Sequence, residues 1–271
     1  MEHITKEQCR IGAVVLAGGQ GKRMHSEVQK QYMELGGRPL ITYALEAFED
    51  SAVDVVVLVT GAGEEEYART ELVAAYGFSK VKAVVAGGRE RYHSVYEGLK
   101  ALASGGSCDG ENTGHTGCDY VLIHDGARPL VTREMIARAI EGAKRYEACV
   151  AGMPVKDTIK IADGQSYAAG TPDRSCLWQI QTPQAFAYPL VRSAYDRLMG
   201  DESLQAGITD DAMVVESQTE HKVKLIEGSY ENLKVTTPED MVVAEALLAR
   251  RRTEADGDRQ RRAEAGRDRS I

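Results

Sequence analysis

Short β-branched apolar runs alternate along the chain with longer segments whose apolar positions recur every three or four residues. Arg10–Ala17 reads as a first strand, with Val14, Val15 and Leu16 as a continuous buried run. Arg38-Pro39 then opens a helix to about Glu49, with Leu40, Tyr43, Ala44 and Ala47 on one face. Asp54–Thr60 is a second buried strand. Glu64–Tyr76 is a helix whose first turn carries acids, which suits the helix dipole. Lys80–Ala86 is a third strand, Tyr92–Leu102 a helix entered from Gly87-Gly88, and Tyr120–His124 a fourth strand. Thr132 caps a helix running to about Tyr146.

This order predicts an α/β fold of Rossmann-like type, with a mainly parallel sheet and helices on both faces. In such sheets the site lies beyond the carboxyl ends of the strands, so the loops after Leu16, Ala86, His124 and Met153 are the candidates. The pattern changes after Pro154. Val155–Ile161, Asp163-Gly164 and Gln165–Ala169 read as a β-hairpin with a two-residue turn, too polar for a central strand pair and better suited to a projecting arm over about 154–178. Helices resume at Pro189. The last runs from Thr237-Pro238-Glu239-Asp240 through Arg250, with a capping residue, a proline at the first helical position and acids in the first turn. One domain over residues 1–249 is expected. Ser104–Gly117 reads as a surface insertion, and 250–271 as a frayed helix end or disordered tail.

Composition narrows the function classes. The 271 residues are 43% hydrophobic and 27% charged, with a net charge of -8. Removing the arginine-rich tail leaves 25 bases against 36 acids, so a nucleic-acid binder is not expected, although a local basic pocket for phosphate is allowed. No segment approaches the ~20 apolar residues of a membrane span, and the polar Met1–Arg10 is no secretory signal. Five irregularly spaced cysteines do not make a disulfide framework, and a cytoplasmic location is expected. Cys108, His115 and Cys118 lack a supporting CxxC pair, so a loop is preferred to a zinc site.

The chemistry begins after the first strand. Ala17-Gly18-Gly19-Gln20-Gly21-Lys22-Arg23 lets backbone N–H groups converge on an anion without Cβ clashes, and adds two cations. It is not a Walker loop, because Leu16 and Arg23 stand where glycine and Ser or Thr are needed. It is not a dinucleotide fingerprint either: Met24 takes the third small position, and the second strand ends at Thr60 without the expected acid. A polyphosphate cradle remains, with Lys30 just before the first helix as a further cation. After the fourth strand comes His124-Asp125-Gly126-Ala127-Arg128-Pro129. A carboxylate there can hold Mg²⁺ together with phosphate oxygens, or can simply form a turn.

The glycine loop, Lys30-Gln31-Tyr32, Gly87-Gly88-Arg89-Glu90-Arg91 with Ser94, the Asp125–Pro129 segment, Pro154-Val155-Lys156-Asp157-Thr158, Thr182-Pro183-Gln184, Thr209-Asp210-Asp211 and Lys234-Val235-Thr236 follow one another in this order. As an ordered set, from about Ile11 to Ala249, they resemble the methylerythritol phosphate cytidylyltransferases of non-mevalonate isoprenoid synthesis. The resemblance implies a nucleotidyltransferase fold and transfer of CMP from CTP to methylerythritol phosphate, with pyrophosphate leaving and no covalent enzyme intermediate. It implies that Ala17, Gly18, Gly19, Gly21, Gly88, Ser94 and Gly126 bind CTP. Arg23, Lys30 and Lys234 would stabilise the reacting phosphates, and Asp125 would hold Mg²⁺. Arg128, Thr158, Arg174, Thr209 and Lys234 would hold the acceptor, with Thr158 and Arg174 carried by the arm into a partner's site in a homodimer. Gln29 stands where the family usually has proline. Gly18-Gly19 and Gly126 replace alanine-glycine and alanine, which keeps these positions small. A ribitol 5-phosphate cytidylyltransferase and a non-catalytic nucleotide-binding regulator are the alternatives.

Overall fold

The computed structural model of the chain describes residues 9–19, 30–104 and 117–268. Its elements in order are β1 (Ile11–Leu16), β2 (Glu34–Leu35), β3 (Arg38–Pro39), α1 (Leu40–Glu49), β4 (Val55–Thr60) and α2 (Glu65–Tyr67), which continues as a π-helix over Ala68–Ala74. Then come β5 (Val81–Ala86), α3 (Arg91–Ala103), β6 (Tyr120–Asp125), α4 (Arg133–Tyr146) and β7 (Ala148–Pro154). The remainder is β8 (Ile161–Ala162), β9 (Ala168–Gly170), β10 (Trp178–Ala187), α5 (Tyr188–Gly200), α6 (Asp211–Gln218), β11 (Lys224–Glu227) and α7 (Pro238–Asp268).

Seven strands form the central sheet in the order β11-β7-β10-β6-β1-β4-β5. All neighbours are parallel except β10, which runs antiparallel between β6 and β7. The four valine-rich strands behave as their sequences predict. Of these, β1, β4 and β6 are covered on both faces, so unbroken apolar runs serve better than alternation, while β5 at the sheet edge is only partly buried. Ile41, Leu45 and Phe48 of α1, Leu72, and Ile136 and Ile140 of α4 pack one face. Val95 and Leu99 of α3, Val191 and Tyr195 of α5, and Val214 of α6 pack the other. A third, smaller cluster joins Leu35, Leu40 and Tyr43 to Val235 and Ala244 of the C-terminal segment.

Register decides where the site forms. Leu16 pairs with both Val59 and Asp125, and Thr60 pairs with Ala86. The loops leaving β1, β4, β5 and β6 therefore emerge side by side at one edge. The Ala17 N–H closes on Val59 O at 2.6 Å, the Gly87 N–H on Thr60 O at 2.7 Å and the Gly126 N–H on Leu16 O at 2.9 Å.

Several expectations change. Arg38-Pro39 pairs with β2, and the helix begins one residue later, with Pro39 as its N-cap. The hairpin is shorter than its sequence suggests. Only β8 and β9 pair, and the two-residue turn is a three-residue loop in which Ser166 N–H bonds Asp163 O and Ser166 itself takes a positive φ of 67°. Asp163 caps this loop through the Gln165 and Tyr167 amides, which fixes the turn one position later than Asp-Gly alone implies. The segment leaves the sheet where Pro154 pairs with Trp178 and is exposed or half-buried throughout 155–177. The charged stretch after Arg250 is not a loose tail at its start, since α7 runs on to Asp268. Arg251 Nη1 donates to Leu130 O at 3.0 Å, and Arg252 Nη2 to the Tyr43 hydroxyl at 3.2 Å. The insertion expected at Ser104–Gly117, with Cys108 and His115, lies outside the described residues apart from its two ends. No helix among the described residues is long and apolar enough to cross a membrane.

Candidate active site

Asp125 is the last residue of β6 and is almost wholly buried. Its Oδ1 accepts from Arg91 Nε at 3.1 Å, and its Oδ2 from Lys234 Nζ at 2.6 Å. Burial alone would raise this carboxyl, but Arg91, Lys234 and Arg128 outweigh it and hold the group well below the usual carboxylate range. Asp125 is thus an anion at a strand end within a ring of cations. The turn reading holds only for its main chain, whose carbonyl accepts from the Arg128 N–H at 2.9 Å.

The loop after Asp125 is pinned from below. The Asp125 N–H donates to Thr182 Oγ1 at 3.1 Å, Thr182 Oγ1 lies 3.0 Å from His124 Nδ1, and His124 Nε2 lies 3.2 Å from Arg128 O. A carbonyl can only accept, so Nε2 carries the proton, Nδ1 is bare, and the Thr182 hydroxyl donates to it. Burial pushes the His124 imidazole down to about 4, which keeps it neutral in this chain of bonds. With both ring nitrogens so engaged, His124 orients the loop and is no metal ligand.

Lys234 arrives from the far end of the sequence. Next to it the Val235 N–H bonds Ala127 O at 2.8 Å, which stitches the C-terminal strand of chain to the Asp125 loop. Arg128 Nη1 donates to Asn232 O at 2.7 Å. Asn232, fully buried, donates its side-chain amide to Thr182 O at 2.9 Å. Arg128 therefore hydrogen-bonds backbone carbonyls rather than forming a direct salt bridge, while its charge acts on Asp125 from nearby.

On the other flank the loop after β5 closes on α3. The Gly88 N–H donates to Ser94 Oγ at 3.1 Å. A Cβ at Gly88 would lie 2.4 Å from His93 Cβ, and one at Gly87 would lie 2.6 Å from Ser94 Oγ, so this turn needs glycine for close approach. Ala17 and Gly18 sit between these two flanks. Gln31, itself buried, donates its side-chain amide to Ala17 O and so ties the Lys30–Tyr32 turn to the first loop.

The structure thus brings together Ala17, Gly18, Gly19, Gly88, Ser94, Asp125, Gly126, Arg128 and Lys234 around one edge. The backbone of Lys30 is placed beside them. Gly21 and Arg23 lie outside the described residues. Thr209, exposed, stands just before α6, where its hydroxyl contacts Met213 Sδ at 3.7 Å. Thr158 and Arg174 stay on the arm, both exposed, with Arg174 Nη1 donating to Lys156 O at 2.9 Å. Among the described residues, no hydrogen bond or ion pair joins them to the Asp125 cluster of their own chain.

Sequence reasoning gave no role to Arg91, Asp211, Thr182, Gln184 or Asn232. The first four lay inside quoted motifs, and only tertiary closure shows what they touch. Gln184 is an example. It donates to Asp210 Oδ2 and accepts from the Ala212 N–H, both at 2.9 Å, and so fastens the start of α6 to β10.

This arrangement has close counterparts. Residues 11–250 match the family of 2-C-methyl-D-erythritol 4-phosphate cytidylyltransferases (IspD). The chain is 48% identical over 237 residues to the 2-C-methyl-D-erythritol 4-phosphate cytidylyltransferase of Lachnospira eligens, covering 87% of this chain and 98% of the relative. It is 44% identical over 253 residues to that of Alkaliphilus oremlandii, covering 93% and 99%. Among solved structures it matches the 4-diphosphocytidyl-2C-methyl-D-erythritol synthase of Anaerococcus prevotii with a TM-score of 0.73 at 31% identity, covering 89% of this chain and 96% of that one. It matches the 2-C-methyl-D-erythritol 4-phosphate cytidylyltransferase of Thermus thermophilus with a TM-score of 0.67 at 30% identity, covering 88% and 98%. With sequence and overall fold agreeing over nearly the whole body, the chain belongs to the 2-C-methyl-D-erythritol 4-phosphate cytidylyltransferase family.

Proposed function

We propose that this chain transfers CMP from CTP to 2-C-methyl-D-erythritol 4-phosphate, giving 4-diphosphocytidyl-2-C-methyl-D-erythritol and pyrophosphate in isoprenoid precursor synthesis. The observation that carries the reading is the Asp125–Lys234 contact at the edge where the glycine loops meet. A partly exposed ammonium beside a buried carboxylate supports a site at which two phosphates are brought together. An oxygen of the acceptor phosphate attacks the α-phosphorus of CTP, the bond to the β-phosphate oxygen breaks, and pyrophosphate leaves with that electron pair.

Each part of the chain has a task in this scheme. The loop at Ala17, Gly18, Gly19 and Gly21, with Arg23, cradles the β- and γ-phosphates. Gly88 and Ser94, with main chain near Gly18 and Gly126, read the cytosine. Lys30 and Lys234 flank the α-phosphate and neutralise charge that develops on its oxygens in the transition state. Arg128, Thr209 and Lys234 hold the acceptor. Thr158 and Arg174 serve the partner's site in a homodimer, which suits an arm that leaves its own site untouched. The reaction runs in the cytoplasm.

A magnesium ion fits this donor set. Among the described residues no group of three His, Cys, Asp or Glu could cage a metal. A single strand-end carboxylate suits an ion whose remaining ligands are phosphate oxygens and water. Asp125 would hold it, and the ion would offset negative charge on the triphosphate.

Pyrophosphate release with CTP and Mg²⁺ tests the reading, with methylerythritol phosphate and ribitol 5-phosphate as alternative acceptors. Release with the first alone is the expected result. Release with ribitol 5-phosphate alone would keep the chemistry and replace the acceptor. CTP binding without release on either would leave a nucleotide-binding regulator.

A further inference from the structure

Arg91 opens α3 and sends its guanidinium two ways. Nη1 and Nη2 donate to the two oxygens of Asp211, each at 2.8 Å, while Nε donates to Asp125 Oδ1 at 3.1 Å. Asp211 is fully buried, and its Oδ1 also takes the Tyr195 hydroxyl at 2.6 Å. Arg91 is the first residue of α3, Asp125 the last of β6 and Asp211 the first of α6. One side chain therefore joins three elements that each border the site.

Stability is a poor reason for such a group. A buried ion pair gains little over apolar residues of the same shape, because both charges must first be stripped of water. What a forked guanidinium does supply is direction, since two carboxylates held on one planar group are fixed relative to each other. The neighbours give that direction a use. Ser94, one turn along α3, holds the Gly88 loop. Thr209 and Asp210 lead directly into Asp211, and Gln184 fastens Asp210 from β10. Asp125 itself is gripped on Oδ2 by Lys234, a side chain 38% exposed, and on Oδ1 by Arg91, which is anchored at its other end.

We infer that Arg91, braced by Asp211, is a positioning residue for cytidylyl transfer. It holds the Asp125 carboxylate in place when Lys234 moves to the phosphates. The inference rests on the reading of the site given above.

The test is a double-mutant cycle in the full-length protein. Arg91→Gln with Asp211→Asn replaces the buried ion pair by an amide pair and leaves no uncompensated charge. The pair is made in the wild-type and Asp125→Asn backgrounds, with thermal melting as the check on folding. Two quantities are read: the Kd for CTP in Mg²⁺ by calorimetry, and kcat. In the wild-type background the amide pair is expected to weaken CTP binding and lower kcat by roughly tenfold each. In the Asp125→Asn background it should change either by less than about twofold, because Arg91 acts through Asp125. Equal losses in both backgrounds would make Arg91–Asp211 a mere structural tie, and no loss in either would remove the role altogether. If the amide pair does not fold, Arg91→Lys, which keeps the charge and loses the fork, enters the same cycle with the same outcomes. Failure of the cytidylyl-transfer reading shows separately, as a wild-type protein that releases no pyrophosphate while the CTP-binding cycle still reports the coupling.

Discussion

Lys234 donates to Asp125 across 2.6 Å although 109 positions separate them in sequence. The two ends of the contact differ. Asp125 is also held by Arg91 and by its own main chain, whereas Lys234 is partly exposed and, among the described residues, its ammonium is held by Asp125 alone. The lysine is the partner that can move. Lys234→Ala is expected to lower kcat by about 10²–10³-fold, the scale of losing one charge-stabilising donor at a transition state. CTP binding should weaken much less. Steady-state kinetics beside calorimetric CTP binding checks this, and unchanged turnover would take Lys234 out of the chemistry. The same split is expected for Lys30→Ala.

The arm gives a prediction about subunits. Arg174→Ala and Asp125→Ala protomers are each expected to be inactive alone. Mixed, they form heterodimers in which one site has an intact body and an intact arm. With random exchange, activity should recover to about a quarter of wild type. Co-refolded or co-expressed mixtures assayed for pyrophosphate release would show it. Confirmed heterodimers without recovery would place Arg174 in its own chain's site or outside catalysis.

A change at the Gly88 turn is expected to separate nucleotide from acceptor. Gly88→Ala forces a Cβ toward His93 and strains the N–H bond to Ser94 Oγ. The KM for CTP should rise about tenfold, the worth of one well-placed hydrogen bond. The KM for the acceptor should hardly move. Equal effects on both would mean that this turn supports the whole site rather than the nucleotide.

His124 makes stability depend on pH. Its folded value of about 4 lies below the ordinary 6.5, so the unfolded chain binds the proton first as pH falls. The contribution is fully present above 6.5, is lost between 6.5 and about 4, and is constant below that. Between pH 7 and pH 5 this one group should remove about 2 kcal/mol of unfolding free energy. Urea unfolding at the two pH values measures it. His124→Gln should be less stable at pH 7 and have a correspondingly flatter dependence. An equal slope in the variant would assign the pH effect elsewhere.

Much of the fold was legible because the parallel strands β6, β1 and β4 are buried on both faces and so read as unbroken runs, Val55–Leu58 above all. β10 was not legible. Its sequence, Trp-Gln-Ile-Gln-Thr-Pro-Gln, carries amides and a proline where a central strand should be apolar. The structure shows why. Gln181, Thr182 and Gln184 are buried to bond loops and the neighbouring elements at the site edge, not to fill a core. The start of α7 was announced by Pro238, but its continuation was hidden by a stretch with almost no apolar residue. Of the site, the glycine turns and the strand-end aspartate were readable from type and position. Arg91 was not, because an arginine at a helix start is ordinarily a solvated charge, and only the approach of α6 gives it Asp211.

The small cluster of Leu35, Leu40, Tyr43, Val235 and Ala244 has a consequence for synthesis of the protein. Val235 is fully buried there, and its neighbour Lys234 is thereby delivered to Asp125. On the ribosome, Asp125 and six of the seven sheet strands emerge well before this lysine, so a nascent chain can be largely folded and still lack a complete site. The final helix acts as the clasp. Chains cut before it still carry Lys234 but lose Ala244 and the packing that anchors Val235 beside it, so the lysine is left without its full support.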